Sequence, residues 1–235
     1  MSTATAPTPT MASLRHQLFF RLAQDRTVFK PLALAHPTLR PLRLTRETQL
    51  VIEGFPRSAN TYAVVAFQQA NPGVIIAHHT HSSVTVRNAA RRGVPTLLIS
   101  RAPADSCRSL CLRYPGLTMA SALRQYIRFH ERLLSVASGI YVAAFDDVVT
   151  DYGVVLDGLN SRFGTEFAAY SPTPQNEDRC YKTIEAIERE EGKGRLRENM
   201  VARPSATRFQ VEVTIEGCSA LLQAAEHVRD ELIRR

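Results

Sequence analysis

"VIEGFPRSANTYAVV", residues 51–65, is the stretch that decides the fold. Its apolar run, part of "QLVIEGF", stops at Gly54; Pro56 and Arg57 follow, and Ser58 and Thr61 open a segment with helical apolar spacing over 59–70. A short continuous apolar run bounded by turn residues is the pattern of a strand buried on both faces. A strand that turns directly into a helix presents that helix's first N–H groups, and its positive dipole end, to whatever lies beyond the strand. Arg57 adds a full charge, and Ser58 and Thr61 add hydroxyls. The turn therefore reads as a cradle for a phosphate-like anion. The common nucleotide-binding loop has Gly, Lys and Ser/Thr at the fifth to seventh positions after its first glycine. Counted from Gly54 these are Ala59, Asn60 and Thr61, so that glycine and lysine are missing. Their absence argues against an ATPase or kinase. A capped, exposed helix start is the plain alternative.

Outward from this turn the pattern repeats. "GVIIAHH" (73–79), "VPTLLIS" (94–100) and "GIYVAAF" (139–145) read as further strands. Helices are expected over 83–92, ending at Gly93, and over 103–113, 118–137 and 148–162. Such alternation predicts an α/β fold, a P-loop-type three-layer sandwich with a mostly parallel central sheet flanked by helices on both faces. Beyond residue 165 come loops, a charged helix over 176–194 and a terminal helix ending at Arg235. Upstream, the Pro/Thr-rich "MSTATAPTPT" predicts a disordered tail over 1–12, leaving 13–235 as a single domain. Ser13 is positioned to cap a short helix that packs through Leu14, Leu18 and Leu22, with Arg15 and Arg21 beside that stripe. Residues 31–46, with Pro31, Pro37 and Pro41, read as an irregular lead-in.

With 235 residues, 44% of them apolar and 22% charged, the chain has the composition of a globular domain able to bury a core. No run approaches the roughly 18–20 apolar residues needed to span a bilayer, which leaves peripheral membrane contact open. The net charge of +7 favours anionic partners. On charge alone, phosphorylated cofactors, acidic glycans, nucleic acid and anionic lipid all qualify. Cys107, Cys111, Cys180 and Cys218 lack zinc-site spacing and read as reduced structural thiols, which predicts a cytoplasmic protein. The first 24 residues contain no Asp or Glu, and a transit peptide is the alternative reading of that segment.

Ligands of parallel sheets bind beyond the carboxyl ends of the strands, and two more strand ends are chemically loaded. "SRAPADSCRSL" places Arg101 at the end of one strand and Ser109 about two turns into the next helix, where both can face one phosphate. "AHHTHSS" supplies His78, His79 and His81, groups suited to proton transfer near neutral pH. Strand alternation would put His79 and His81 on one side and His78 on the other. Metal binding and ordinary surface histidines are the competing readings of this cluster. Asp146 and Asp147 read as a helix start favourable to the dipole.

Together, "GFPRSANT" and "RAPADSCRS" resemble the two motifs of the sulfotransferases that use 3′-phosphoadenosine 5′-phosphosulfate (PAPS), a likeness covering roughly residues 50–165. The resemblance implies that Arg57, Ser58, Ala59, Asn60 and Thr61 bind the 5′-phosphosulfate and that Arg101 and Ser109 bind the 3′-phosphate. The family often has an acidic residue after that arginine; Ala102 stands there instead. Aligned on Thr80, His81 takes the place of the family's catalytic base, and His79 that of its lysine. In the distal basic segment "EGKGRLRENMVARPSATR", Lys193, Arg195, Arg203 and Arg208 are candidates to close over the 3′-phosphate, with Arg203 favoured. The expected reaction is sulfuryl transfer from PAPS to a hydroxyl or amine acceptor, a glycan being one candidate, without metal and without nucleic acid as partner. A P-loop phosphotransferase and a non-catalytic nucleotide-binding protein are the alternatives.

Overall fold

The computed structural model describes residues 8–197, 201 and 217–235. Arg203 and Arg208 lie outside the described residues. The elements begin with α1 (Met11–Ala23) and α2 (Arg26–Ala35). Next come β1 (Leu50–Gly54), α3 (Asn60–Ala70), β2 (Ile76–His78), α4 (Ser83–Arg91), β3 (Thr96–Ser100) and α5 (Pro103–Arg113). Then follow α6 (Met119–Glu131), β4 (Tyr141–Ala144), α7 (Phe145–Thr150), α8 (Tyr152–Phe163), α9 (Pro174–Glu191) and α10 (Ser219–Ile233).

The four strands form one all-parallel sheet in the order β2-β1-β3-β4. Every residue of β1 and β3 is buried, so side chains alternate between two covered faces. Leu50, Ile52, Leu97 and Ile99 pack on one side with residues of α3, α8 and α9. Leu98 packs on the other with Phe55 and residues of α5, α6 and α10. The fold is therefore α/β, a parallel sheet between two helical layers. The chain leaves β1 toward β2 and then returns to place β3 on β1's other edge. With α3 on one face and α5 on the other, a crevice opens between the carboxyl ends of β1 and β3, the switch point where such sheets bind ligands.

Several boundaries differ from the sequence expectation, each for a local reason. Helix α1 begins at Met11 with Thr10 as its cap, Thr10 and Ser13 bonding each other reciprocally, so Ser13 is an interior partner and not the cap. Its buried face is Ser13, Phe20 and Ala23, while Leu14 and Leu18 point outward, 48% and 59% exposed. Polar contacts decide this orientation: Thr10 donates to Pro115 O (2.7 Å), Ser121 to Gln17 (2.9 Å), and His16 meets Gln125 (3.1 Å). The lead-in contains the helix α2, capped by Asp25, which accepts from the N–H groups of Thr27 and Val28. Pro31 sits inside α2 and forfeits one backbone bond; burial of Phe29 and Ala33 holds the helix together. The helix expected over 118–137 ends at Glu131 and tightens into a 3-10 stretch, Leu134–Gly139. That expected over 148–162 is two helices, because Asp151 breaks the run and caps α8 by accepting from Val154 N–H. Asp146 and Asp147 lie exposed in the first turn of α7.

Candidate active site

The turn after β1 is held in an unusual backbone conformation. Arg57 and Ala59, on either side of Ser58, have φ of 72° and 63°, the left-handed region. Left-handed residues inside a turn bring successive N–H groups to one concave side, the geometry of anion nests. Asn60 secures the turn by donating to Phe55 O (3.1 Å) and Gly54 O (3.4 Å). Glycine is required at 54 by close approach: a Cβ there would lie 2.7 Å from both Asn60 Oδ1 and Ile99 O. Ser58 is buried, its hydroxyl 3.5 Å from that of Ser106.

The two helices that start at the crevice, α3 and α5, have no side-chain cap. Among the other described helices α7 and α10 also lack one, whereas α1, α2, α4, α6, α8 and α9 each have one. An uncapped helix start leaves N–H donors and dipole for a ligand. Between these two starts stand the basic groups. Arg57 Nε donates to Ser109 Oγ (3.0 Å), so the two strand-end motifs meet directly. Arg101 donates to Arg57 O (2.9 Å), lies 4.2 Å over the Phe145 ring, and its own carbonyl accepts from Tyr126 (2.8 Å). Burial pulls the Arg101 guanidinium below its ordinary range, against the opposing charges of Asp105 and Asp146.

The histidine segment differs from an alternating strand. β2 ends at His78, and both His79 (φ 52°) and His81 (φ 47°) are left-handed. His78 therefore does not face away from His79; their Nδ1 atoms are 2.7 Å apart. His79 Nε2 pairs with Thr61 Oγ1 at 2.9 Å, so both ring nitrogens of His79 are engaged, and the histidine segment is tied to the first turn of α3. His81 places Nδ1 3.1 Å from Gly54 O. A carbonyl only accepts, so Nδ1 carries the proton and Nε2 is the basic nitrogen. Burial lowers the pKa of His81 to about 4, with the hydrogen bond to Gly54 opposing and the charges of Arg113 and Arg57 assisting. Burial likewise lowers His78 to about 4, and holds His79 well below the ordinary value. All three are neutral at pH 7.

Three groups outside the sequence motifs shape this segment. Glu53, fully buried at the end of β1, accepts from Thr80 N–H (2.7 Å), Thr80 Oγ1 (2.6 Å) and His81 N–H (3.1 Å). Its burial raises the carboxyl to about 7 despite those hydrogen bonds. Gln24, at the end of α1, donates to His81 O (2.8 Å) and accepts from Ser83 N–H (2.9 Å). Arg113, in the last turn of α5, exerts its charge on His16, His79 and His81. A polar residue inside an apolar strand was the one signal for Glu53; Gln24 and Arg113 have none.

Lys193 and Arg195 are exposed after α9, Lys193 with φ 53°. The preferred distal candidate, Arg203, is outside the described residues. Among the described residues no group of three or more His, Cys, Asp or Glu is arranged to hold a metal ion, and no helix is long and apolar enough to cross a membrane. All four cysteines are buried and unpaired.

No family model matches this sequence, and no curated protein matches it. Among solved structures, the chain is similar to mouse sulfotransferase SULT7A1 complexed with PAP, with a TM-score of 0.44 and 10% sequence identity, over 80% of this chain and 91% of that one.

Proposed function

We propose that this protein is a sulfotransferase that moves a sulfuryl group from PAPS to a hydroxyl or amine acceptor. The observation that carries the reading is the direct bond from Arg57 to Ser109, 3.0 Å, at a crevice where two helices start without side-chain caps. It puts a cation of one motif against a hydroxyl of the other, with Arg101 bonded to the same turn, which fits a nucleotide with separate 5′ and 3′ charges. When bound, PAPS supplies an activated sulfuryl group on a phosphate leaving group.

The chain's own residues would then divide the work. The N–H groups of residues 57–61 and the Arg57 guanidinium hold the 5′ side and meet the charge that develops as the S–O bond to phosphate breaks. Arg101 and Ser109 hold the 3′-phosphate, with Arg203 assigned to cover it. His81 Nε2 takes the acceptor's proton as the acceptor oxygen or nitrogen bonds to sulfur, and the electron pair of the breaking bond departs with the phosphate. His79 is suited to orientation more than to proton transfer, since Thr61 and His78 occupy both its nitrogens. A sugar hydroxyl is a fitting acceptor for this chemistry.

Thermal denaturation with nucleotides tests the reading. A ligand at one hundred times its Kd adds about 2.7 kcal/mol, roughly 5–10 °C in Tm for a chain of this size. Adenosine 3′,5′-bisphosphate should reach that shift, and AMP should fall well short. Arg101→Ala should remove roughly 1.5–3 kcal/mol of the bisphosphate's effect. Equal shifts from AMP and the bisphosphate would dismiss the 3′-phosphate assignment. A larger shift from ATP with Mg²⁺ would favour a phosphotransferase.

A further inference from the structure

We propose that the outward face of α1 docks the protein on an anionic lipid surface. The inward face of this helix is already committed: Ser13, Phe20 and Ala23 are buried, and His16 stacks on Tyr114 with ring centroids 4.2 Å apart. The outward face is apolar. Met11, Leu14, Leu18 and Leu22 fall within roughly 80° of arc at about 100° per residue, and the first three are 68%, 48% and 59% exposed. Arg21 borders this ridge on one side and Arg15 on the other, both exposed.

An apolar ridge with a basic residue along each edge is the arrangement of a helix lying in a membrane interface. The apolar side chains enter the acyl boundary, and the arginines extend their charged ends to headgroup phosphates. The surroundings have the same sign. From residue 8 to 46 the chain contains one acidic residue, Asp25, and its carboxylate is occupied in capping α2. Arg26 and Lys30 of α2 are also exposed. Charge selects the occupant. A second copy meeting this face two-fold would set like charges against one another, whereas an anionic headgroup layer satisfies the arginines and the ridge together. Because Gln24 joins the end of α1 to the backbone of His81 and Ser83, docking would also fix the height of the histidine segment above the lipid.

Co-sedimentation of the full chain with phosphatidylcholine vesicles, with and without phosphatidylserine, tests it. Binding should require phosphatidylserine and weaken with added salt. Leu14→Glu/Leu18→Glu should lower the partition coefficient at least about tenfold, and Arg15→Glu/Arg21→Glu roughly fivefold or more per arginine. Both pairs point outward, so their Tm should stay within a few degrees of wild type, which separates lost docking from lost folding. The proposal is overturned by absence of sedimentation with phosphatidylserine vesicles, or by undiminished binding of the leucine variant. A concentration-dependent doubling of mass that the leucine variant abolishes would also overturn it, making a second copy the occupant.

Discussion

His81 and His79 differ in what their ring nitrogens have left to offer. His81 donates its Nδ1–H to Gly54 O and leaves Nε2 as the basic nitrogen; His79 is held at both nitrogens. Removing a positioned general base typically lowers the rate by about 10²–10⁴. His81→Ala should show that loss in single-turnover consumption of labelled phosphosulfate while binding adenosine 3′,5′-bisphosphate at near wild-type affinity. His79→Ala should lose less in rate, through a looser Thr61. A dead His79→Ala beside an active His81→Ala would transfer the role of base to His79. At this scale the sequence was informative about identity and not about orientation. The turn residues and Arg101 stand where local apolar runs end, so their positions were readable. The side taken by His78 was not, because alternation assumes extended backbone, and here a carboxylate far back in the chain, Glu53, gathers the backbone of Thr80 and His81. The distal Arg203 falls outside the described residues.

Elements meet closely where β1 passes β3. The 2.7 Å that a Cβ at residue 54 would have to both Ile99 O and Asn60 Oδ1 leaves no room to yield, since one neighbour is strand backbone and the other braces the anion turn. Gly54→Ala should destabilise the protein by about 1–3 kcal/mol, the usual scale of forced overpacking, seen as a lower urea midpoint. It should also weaken bisphosphate binding, because Asn60 is displaced. A variant as stable as wild type would mean that β1 and β3 can separate without cost. The central elements were legible for a simple physical reason: a strand buried on both faces has no polar alternation to confuse with a helix. Helix α2 was hidden by Pro31, although Asp25 is a normal cap. The packed face of α1 was hidden because Ser13, Phe20 and Ala23, with His16 and Gln17 bonded to α6, face the domain while Leu14 and Leu18 do not.

Taken as a whole, the molecule carries an imbalance of buried titratable groups. His16, His78, His81 and His130 are held near 4 by burial, and His79 well below its ordinary value. In the unfolded chain these groups titrate near their ordinary 6.5. Between about 6.5 and 4 the unfolded state therefore binds more protons, and stability falls as pH falls. Glu53, raised to about 7, acts in the opposite sense, losing stability as pH rises from its ordinary value through 7. Five histidines against one carboxyl make the acid side decisive. The urea midpoint should be lower at pH 5 than at pH 7; an equal or higher midpoint at pH 5 would mean that Glu53 outweighs them. The strand order has a consequence of a different kind, for the timing of synthesis. β1 bonds to β2 on one edge and to β3 on the other. A chain interrupted before Thr96 thus holds the anion turn and all three histidines but lacks the opposite wall. Ser109, the partner of Arg57, has not been made, and α5 with its uncapped start does not exist. A product truncated ahead of Arg101 therefore carries the turn after β1 and the histidine segment without Arg101, Ser109 or α5, the groups that face that turn in the folded protein.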